Sequence, residues 1–278
     1  MKDLSMTGKE LPLVTVVTAV FNAEKYLEET IKSVINQSYK NIEYIIIDGG
    51  STDGTLDIIK KYDQVIDYWL SEPDNGEYDA LNKGIEVSSG SIITSLNSDD
   101  TYYSKDTIDQ VVNEFLNNKK LYWVHGDFDV LDDDNKITYP YKVPRYNWRL
   151  LLYADYCYVL EATSFFKKEI YSRIGKYDYS FRYTADYDFF LRIGDGFKNM
   201  KLNFPIVKYR FHSDRLSQSH LLEAKEEARK IKGKYSLSKN RTLKAIYLAY
   251  FRIKLSVLNI GGHYLRLRNI FNKMEMKT

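Results

Sequence analysis

The residues "SLNSDD" (Ser95 to Asp100) close an apolar run, "SIIT", on two adjacent carboxylates, Asp99 and Asp100. Neighbouring negative charges disfavour each other, so a solvated turn or a divalent cation must offset their repulsion. Hard oxygen donors, one or two of them carboxylates, with remaining positions filled by phosphate oxygens, are how Mg2+ or Mn2+ is usually held. Asp48 and Asp53 stand in "DGGSTDGT", again directly behind an apolar run, and Asp186 stands far downstream in "TADYD". On spacing alone Asp48 and Asp53 read equally as turn and cap residues, and Asp186 as one more capping Asp beside Asp188. Together they would suit a nucleotide's base and ribose beside a metal-bridged diphosphate, with a departing phosphate group and an attacking hydroxyl as the reacting groups. A cation neutralises the leaving group, and a remote carboxylate takes the proton of the attacking hydroxyl. One such base and no covalent intermediate give inversion, by the opposed-face logic of inverting glycoside hydrolysis.

The elements around these residues predict how they converge. "LVTVVTAVF" and "IEYIIID" are β-branched, almost wholly apolar runs, the composition of strands covered on both faces. Between them "NAEKYLEETIKSVINQ" has helical periodicity with Asn22 as a cap, and "DGTLDIIKKY" is a short helix that Asp53 caps. A strand–helix–strand–helix rhythm implies parallel strands with right-handed crossovers. A helix over "EYDALNKGIEV", the strand "SIITSL" and a helix over "TIDQVVNEFL" continue it. Beyond, "YWVHGDFDVLDDDNKITY" reads as two antiparallel strands joined at "DDDN". In open parallel sheets ligands bind at the carboxyl ends of the strands, which here close on "AVFN", "DGGSTD" and "NSDD".

"TVVTAVFNAEKYLEETIKSVINQSYKNIEYIIIDGGSTDGT", "GEYDALNKGI", "NSDD" and "FRYTADYDFFLRI" together resemble, in order, the motifs of family-2 glycosyltransferases with the α/β GT-A fold. The match runs from about Leu13 to Ser217. "SDDTYY" and "TADYDFFLRI" resemble the bacterial subgroup that builds capsule, O-antigen and exopolysaccharide repeat units.

The resemblance implies a nucleotide-sugar donor, most simply a UDP-sugar, and a glycan or lipid-linked acceptor. Thr18, Ala19, Val20 and Asn22 would line the nucleotide pocket, and Asp48 would accept a hydrogen bond from a uracil imide. Asp79, Asn82 and Lys83 would sit by the donor's sugar or diphosphate. "NSDD" would be the DXD-type element, with Asn97 in place of its first acid, Ser98 beside the donor, and Asp99 or Asp100 on Mn2+ or Mg2+. Asp186 would be the catalytic base, Ala185 standing where the family's "TED" element carries Glu. Glu161 and Tyr183 would meet the acceptor. In "YRFHSDRLSQ", His212 would reach the metal or be a surface loop residue, with Arg210 near the donor.

Composition sets the remaining bounds. With 278 residues and 44% hydrophobic content the chain can build a sizeable core. Its one cysteine, Cys157, excludes an internal disulfide framework and a multi-cysteine zinc site, and reads as a small half-buried apolar residue. The N-terminal "MKDLSMTGKELP" has no signal-type apolar core and reads as a short lead-in.

Residues 221–278 hold 14 of the 40 Lys and Arg but 4 of the 38 Asp and Glu, leaving the rest of the chain acidic. We therefore divide the chain into a catalytic domain, 1–220, and a basic amphipathic helical tail, 221–278. The tail is expected to lie in a membrane interface or to pack on the domain or a second subunit. A cytoplasmic protein, peripheral at the inner face of the cell membrane, follows from these features. Nucleic-acid binding is not expected, since no basic-aromatic module is present. Two alternative functions remain: a non-catalytic nucleotide-sugar-binding relative, and a sugar-phosphate nucleotidyltransferase, for which "AVFNAEKY" lacks the Gly-rich basic signature.

Overall fold

A computed structural model describes residues 11–132, 135–153, 157–211 and 220–235, together with Ala245, Ile246, Ala249, Tyr250 and Ile253. His212, the lead-in 1–10 and most of the expected tail lie outside the described residues.

Four strands, β1 (Val14–Val20), β2 (Ile42–Asp48), β3 (Tyr68–Ser71) and β4 (Ile92–Ser95), pair in parallel in the order β3-β2-β1-β4. Both faces of this layer are covered, which is why its strands read as continuous apolar runs. Val14, Val16 and Val20 enter the core on one face, and Val17, Ile45 and Ile47 enter the core on the other. Helix α1 (Leu27–Ile35) buries Leu27, Ile31 and Val34, a 3.6-period stripe, on the first face. Helix α2 (Thr55–Lys61) adds Ile59 there, whereas α3 (Glu77–Val87) crosses the opposite face with Tyr78, Leu81 and Ile85. The chain runs outward from β1 to β3 and then returns to β1's other side. That reversal makes a crevice between β1 and β4 at the carboxyl edge.

The sheet then changes direction. Strand β5 (Thr101–Tyr102) and helix α4 (Thr107–Asn117) follow β4, and β6 (Trp123–Leu131) and β7 (Ile137–Tyr141) form the expected antiparallel hairpin. After α5 (Trp148–Tyr153) comes β8 (Ser164–Lys167), which inserts antiparallel between β4 and β6. Helices α6 (Glu169–Ile174) and α7 (Ala185–Ile193) lead to β9 (Asn199–Arg210), parallel to β6 and antiparallel to β5. Among the described residues this is one nine-stranded mixed sheet, so both halves share a core.

The aromatic-rich second half fills that core behind α7. The fully buried Trp123 ring lies 4.9 Å from Tyr146 and 5.6 Å from Phe190, while Phe166 meets Phe189 edge-on at 5.5 Å. Such tilted and edge-on pairs add to the area each ring buries.

The last described long element, α8 (Leu221–Gly233), opens the segment divided off above as a tail, for which packing on the domain was one of the expectations. Ala228 and the fully buried Ile231 join the same core as α7. Two apolar residues on one helical face dock it there.

Close packing of α3 on β1 generates a test. A Cβ at Gly84 would stand 2.4 Å from Val17 Cγ1. Gly84→Ala is therefore expected to overpack the interface at a cost of about 1–3 kcal/mol, lowering the urea midpoint. An unchanged midpoint would show that α3 does not sit this tightly.

Candidate active site

The carboxyl ends of β1 and β2 are level, Val20 opposite Asp48, and β4 ends opposite Val17, three residues lower. Above them opens a cleft of about 680 Å³, the size of an ordinary ligand site. Ala19 to Ala23, behind β1, line one side, and Asn97, Ser98 and Asp99, behind β4, line another. Glu161, Arg182, Tyr183 and Asp186 enter from the second half of the fold. Asn22 is no helix cap as expected. It takes a left-handed φ of 48°, its N–H donates to Ser51 Oγ at 2.7 Å, and its Oδ1 accepts the Thr52 N–H at 2.9 Å. It thereby ties the β1 loop to the loop behind β2. Asp53 does accept the Thr55 N–H at the start of α2, at 3.0 Å.

The acidic pair of "NSDD" is divided. Asp100 is fully buried and accepts the Asn97 side-chain amide at 2.8 Å and the Arg210 backbone N–H at 2.9 Å. The Thr30 hydroxyl of α1 lies 2.9 Å from the Ser98 carbonyl and 2.8 Å from that of Asp100. Arg210, 1% exposed, donates Nε to the Asp99 carbonyl at 3.1 Å and Nη2 to Glu29 at 2.7 Å, and its guanidinium lies 4.3 Å from the Tyr26 ring. The loop is thus fixed from below by a buried cation, with Asp99 on the cleft wall. Of the two carboxylates proposed for a metal, the geometry favours Asp99 and gives Asp100 a structural place. Arg210, expected at the donor, holds that loop from behind and does not line the cleft.

Several other expected donor contacts also fall outside the cleft lining. Asp48 is fully buried. Its oxygens accept the Gly50 N–H at 3.2 Å, the Ser51 N–H at 3.1 Å and the Ser51 and Ser71 hydroxyls, so it shapes its own loop. Thr18 is buried against the Tyr44 hydroxyl. Asn82 clamps the backbone of Tyr177 with both ends of its amide, at 2.8 and 2.9 Å. Asp79 accepts the Asn75 N–H and side-chain amide, each at 3.0 Å, and Lys83 pairs with Glu72 at 2.7 Å. These polar groups hold the loops and helix around the cleft.

Among the expected residues, Ala19, Val20, Asn22, Asn97, Ser98, Asp99, Glu161, Tyr183 and Asp186 share the cleft. Sequence reasoning missed Asp74, Asn75, Glu77, Tyr78 and Arg182, which line it too. The signal was present in "EPDNGEYD", where Gly76 takes a φ of 107° and turns the loop inward ahead of α3.

Two cleft carboxyls are tuned apart. Burial pushes Asp186 up to about 6, opposed by the Tyr187 N–H at 2.7 Å and by Tyr78. Burial, with the nearby charges of Glu77 and Asp186, pushes Glu161 up to about 8, opposed by the Tyr177 hydroxyl at 3.0 Å. At neutral pH one is an ionised acceptor and the other a neutral donor, the pattern of acid–base sites. Burial also raises Asp74. Cys157, half-buried as expected, has its thiol pushed well above the usual range by burial.

Known proteins resemble this chain in sequence and in fold. The family model described as Glycosyl transferase family 2 matches residues 15–175. An uncharacterized glycosyltransferase of Mycobacterium tuberculosis is 37% identical over 185 residues, covering 65% of this chain and 68% of the relative. Among solved structures, Staphylococcus aureus TarS 1-349 in complex with UDP-GlcNAc matches with a TM-score of 0.61 at 17% identity, covering 91% of this chain and 75% of that one. The chain spans 42% of the longer TarS structure. The mannosyltransferase PcManGT of Pyrobaculum calidifontis, in complex with GDP-Man and Mn2+, matches with a TM-score of 0.59 at 16% identity, covering 89% and 71%. The chain belongs to glycosyltransferase family 2, and its curled mixed sheet is the GT-A fold. It is a glycosyltransferase.

The raised Glu161 carboxyl has a measurable consequence. Its folded value lies above the ordinary carboxyl value near 4.5, so the folded state holds this proton more tightly. That stabilisation is complete below the ordinary value and is lost as pH rises towards about 8. Glu161→Gln cannot titrate, so its thermal midpoint is expected to gain on the wild type between pH 5 and pH 8. A constant difference across that range would contradict the assignment.

Proposed function

We propose that this enzyme transfers a sugar with inversion from a nucleotide sugar, most simply a UDP-sugar, to a hydroxyl of a glycan or lipid-linked acceptor in surface-polysaccharide synthesis. The observation that carries the reading is one cleft holding both Asp99, from the β4 loop, and Asp186, from α7. The nucleotide lies against Ala19 to Ala23 and the β2 loop, and its diphosphate lies towards Asn97 to Asp99. Asp186, ionised above about 6, accepts the proton of the attacking hydroxyl. Glu161, neutral below about 8, donates a hydrogen bond to an acceptor oxygen, and Tyr183 stacks on the acceptor sugar.

A divalent cation suits this donor set. Among the described residues no three His, Cys, Asp or Glu side chains gather into a cage. A sparse carboxylate site completed by phosphate oxygens and water is what Mg2+ and Mn2+ accept. Asp99 would hold the ion, with His212 outside the described residues. When bound, the ion supplies charge neutralisation for the departing diphosphate.

Among the described residues no helix is long and apolar enough to cross a membrane. Ile246, Tyr250 and Ile253 are exposed at helical spacing, which supports docking of the basic tail on an anionic lipid surface that carries the acceptor.

Asp186→Asn is expected to keep donor affinity and to lose transfer by a factor of about 10²–10⁴. Asp99→Ala should instead weaken Mn2+-dependent donor binding in calorimetry. Undiminished transfer by Asp186→Asn would remove it from the mechanism. The rate should follow a bell in pH, with limbs near about 6 and about 8 from Asp186 and Glu161. An acidic limb that persists in Asp186→Asn would assign it elsewhere.

A further inference from the structure

Helix α7 carries Asp186 in its first turn, yet its N-cap residue Thr184 makes no side-chain capping bond within the helix. The first N–H groups of a helix need acceptors, and a missing cap lets the first turn fray. The residues just ahead of that turn are held instead from 43 residues downstream, a position no motif marks. Glu227 of α8 accepts the Arg182 N–H through Oε1 at 2.9 Å, and through Oε2 the Tyr183 N–H and the Thr184 hydroxyl, each at 2.9 Å.

We infer that Glu227 is a positioning residue that sets the base Asp186 and the Arg182–Tyr183 wall of the cleft, making α8 part of the catalytic unit. The inference rests on the reading of Asp186 as base. One carboxylate holds three consecutive residues, 182 to 184, immediately ahead of Ala185 and Asp186. Ala185 is fully buried and has no polar group to hold this turn itself. The negative charge also lies at the positive end of α7, where it is favoured.

Two further contacts brace the same pair of elements. Lys234, just past α8, reaches Asp188 of α7 at 3.3 Å, and His220, just before α8, stacks on Tyr183 with ring centroids 4.7 Å apart. Ala228 and Ile231 anchor α8 in the core between these polar ties. The helix therefore grips the base-bearing turn from a fixed footing, as a group that supports catalytic geometry must.

The test uses the full chain and two variants, Glu227→Gln and Glu227→Ala, with Asp186→Asn as reference. Amide exchange is followed at Arg182 to Asp186. Turnover is read as nucleoside diphosphate release from UDP-GlcNAc, UDP-Glc, UDP-Gal and GDP-Man with Mn2+, water standing in for the acceptor. Donor affinity is read by calorimetry. Both variants should speed exchange at Arg182 and Tyr183, and leave exchange in β1 and β4 unchanged. They should lower kcat by about tenfold to a hundredfold while holding donor affinity within about twofold, Gln being milder because its carbonyl still accepts.

Unchanged exchange at 182 and 183 would overturn the contact. Faster exchange with undiminished turnover, or equal losses in kcat and donor affinity, would reduce Glu227 to a structural role. If Asp186→Asn loses turnover and neither Glu227 variant does, this inference alone fails. If Asp186→Asn itself turns over normally, the reading of the base fails first.

Discussion

A buried guanidinium under an acidic loop is the constraint on which the site depends. Arg210, at the end of β9, reaches beneath the turn behind β4 and binds the Asp99 carbonyl, while its own N–H is taken by Asp100. An unpaired buried Arg or Asp would be costly. Here each is satisfied by main chain or by the other's residue, and Glu29 completes the ion pair from α1. The adjacency of two carboxylates is thereby resolved by dividing them. Asp100 points into the protein as a structural acceptor, and Asp99 remains on the cleft wall. The sheet's antiparallel extension exists, in this sense, to deliver Arg210 to the parallel half, since β9 reaches the loop only through its pairing with β5 and β6.

The same logic of shared burial sets the cleft's acid–base character. Asp186, Glu161 and Asp74 line one cavity, and burial raises all three. Their environments separate them. Asp186 has a backbone donor at the start of α7, whereas Glu161 has a phenol and two carboxylate neighbours. In the proposed reaction the substrate enters between a charged and an uncharged carboxyl. The aromatic core packs behind α7, so the Tyr and Phe of the second half support the site through packing.

Much of this was legible in the sequence. Apolar runs and helical stripes marked β1, β2 and β4 and their helices, because those strands are buried on both faces and each helix on one, whereas the short, partly exposed edge strand β3 carries no such run. The four ordered motifs located the strand ends, and nine of the expected residues do share the cleft. What remained hidden depends on side-chain direction and on distant partners. A carboxylate that serves its own loop, such as Asp48, is written with the same letter as one that faces a ligand. Asn82 binds main chain 95 residues away, and Arg210 binds a carbonyl 111 residues away. Local patterns do not encode such pairings. For α8 the sequence left packing on the domain and lying at a membrane both open, because charge dominates the segment and only Ala228 and Ile231 mark the buried face.

The division of labour between Asp99 and Asp100 is the claim from which donor site, metal and base follow. Crystals grown with Mn2+ and UDP, and measured at the manganese edge, test it directly. The account predicts an anomalous peak at the Asp99 carboxylate inside the cleft, with Asp100 still accepting the Arg210 N–H. A peak on Asp100 with that bond broken, or manganese and UDP bound away from the β1–β4 crevice, would contradict it.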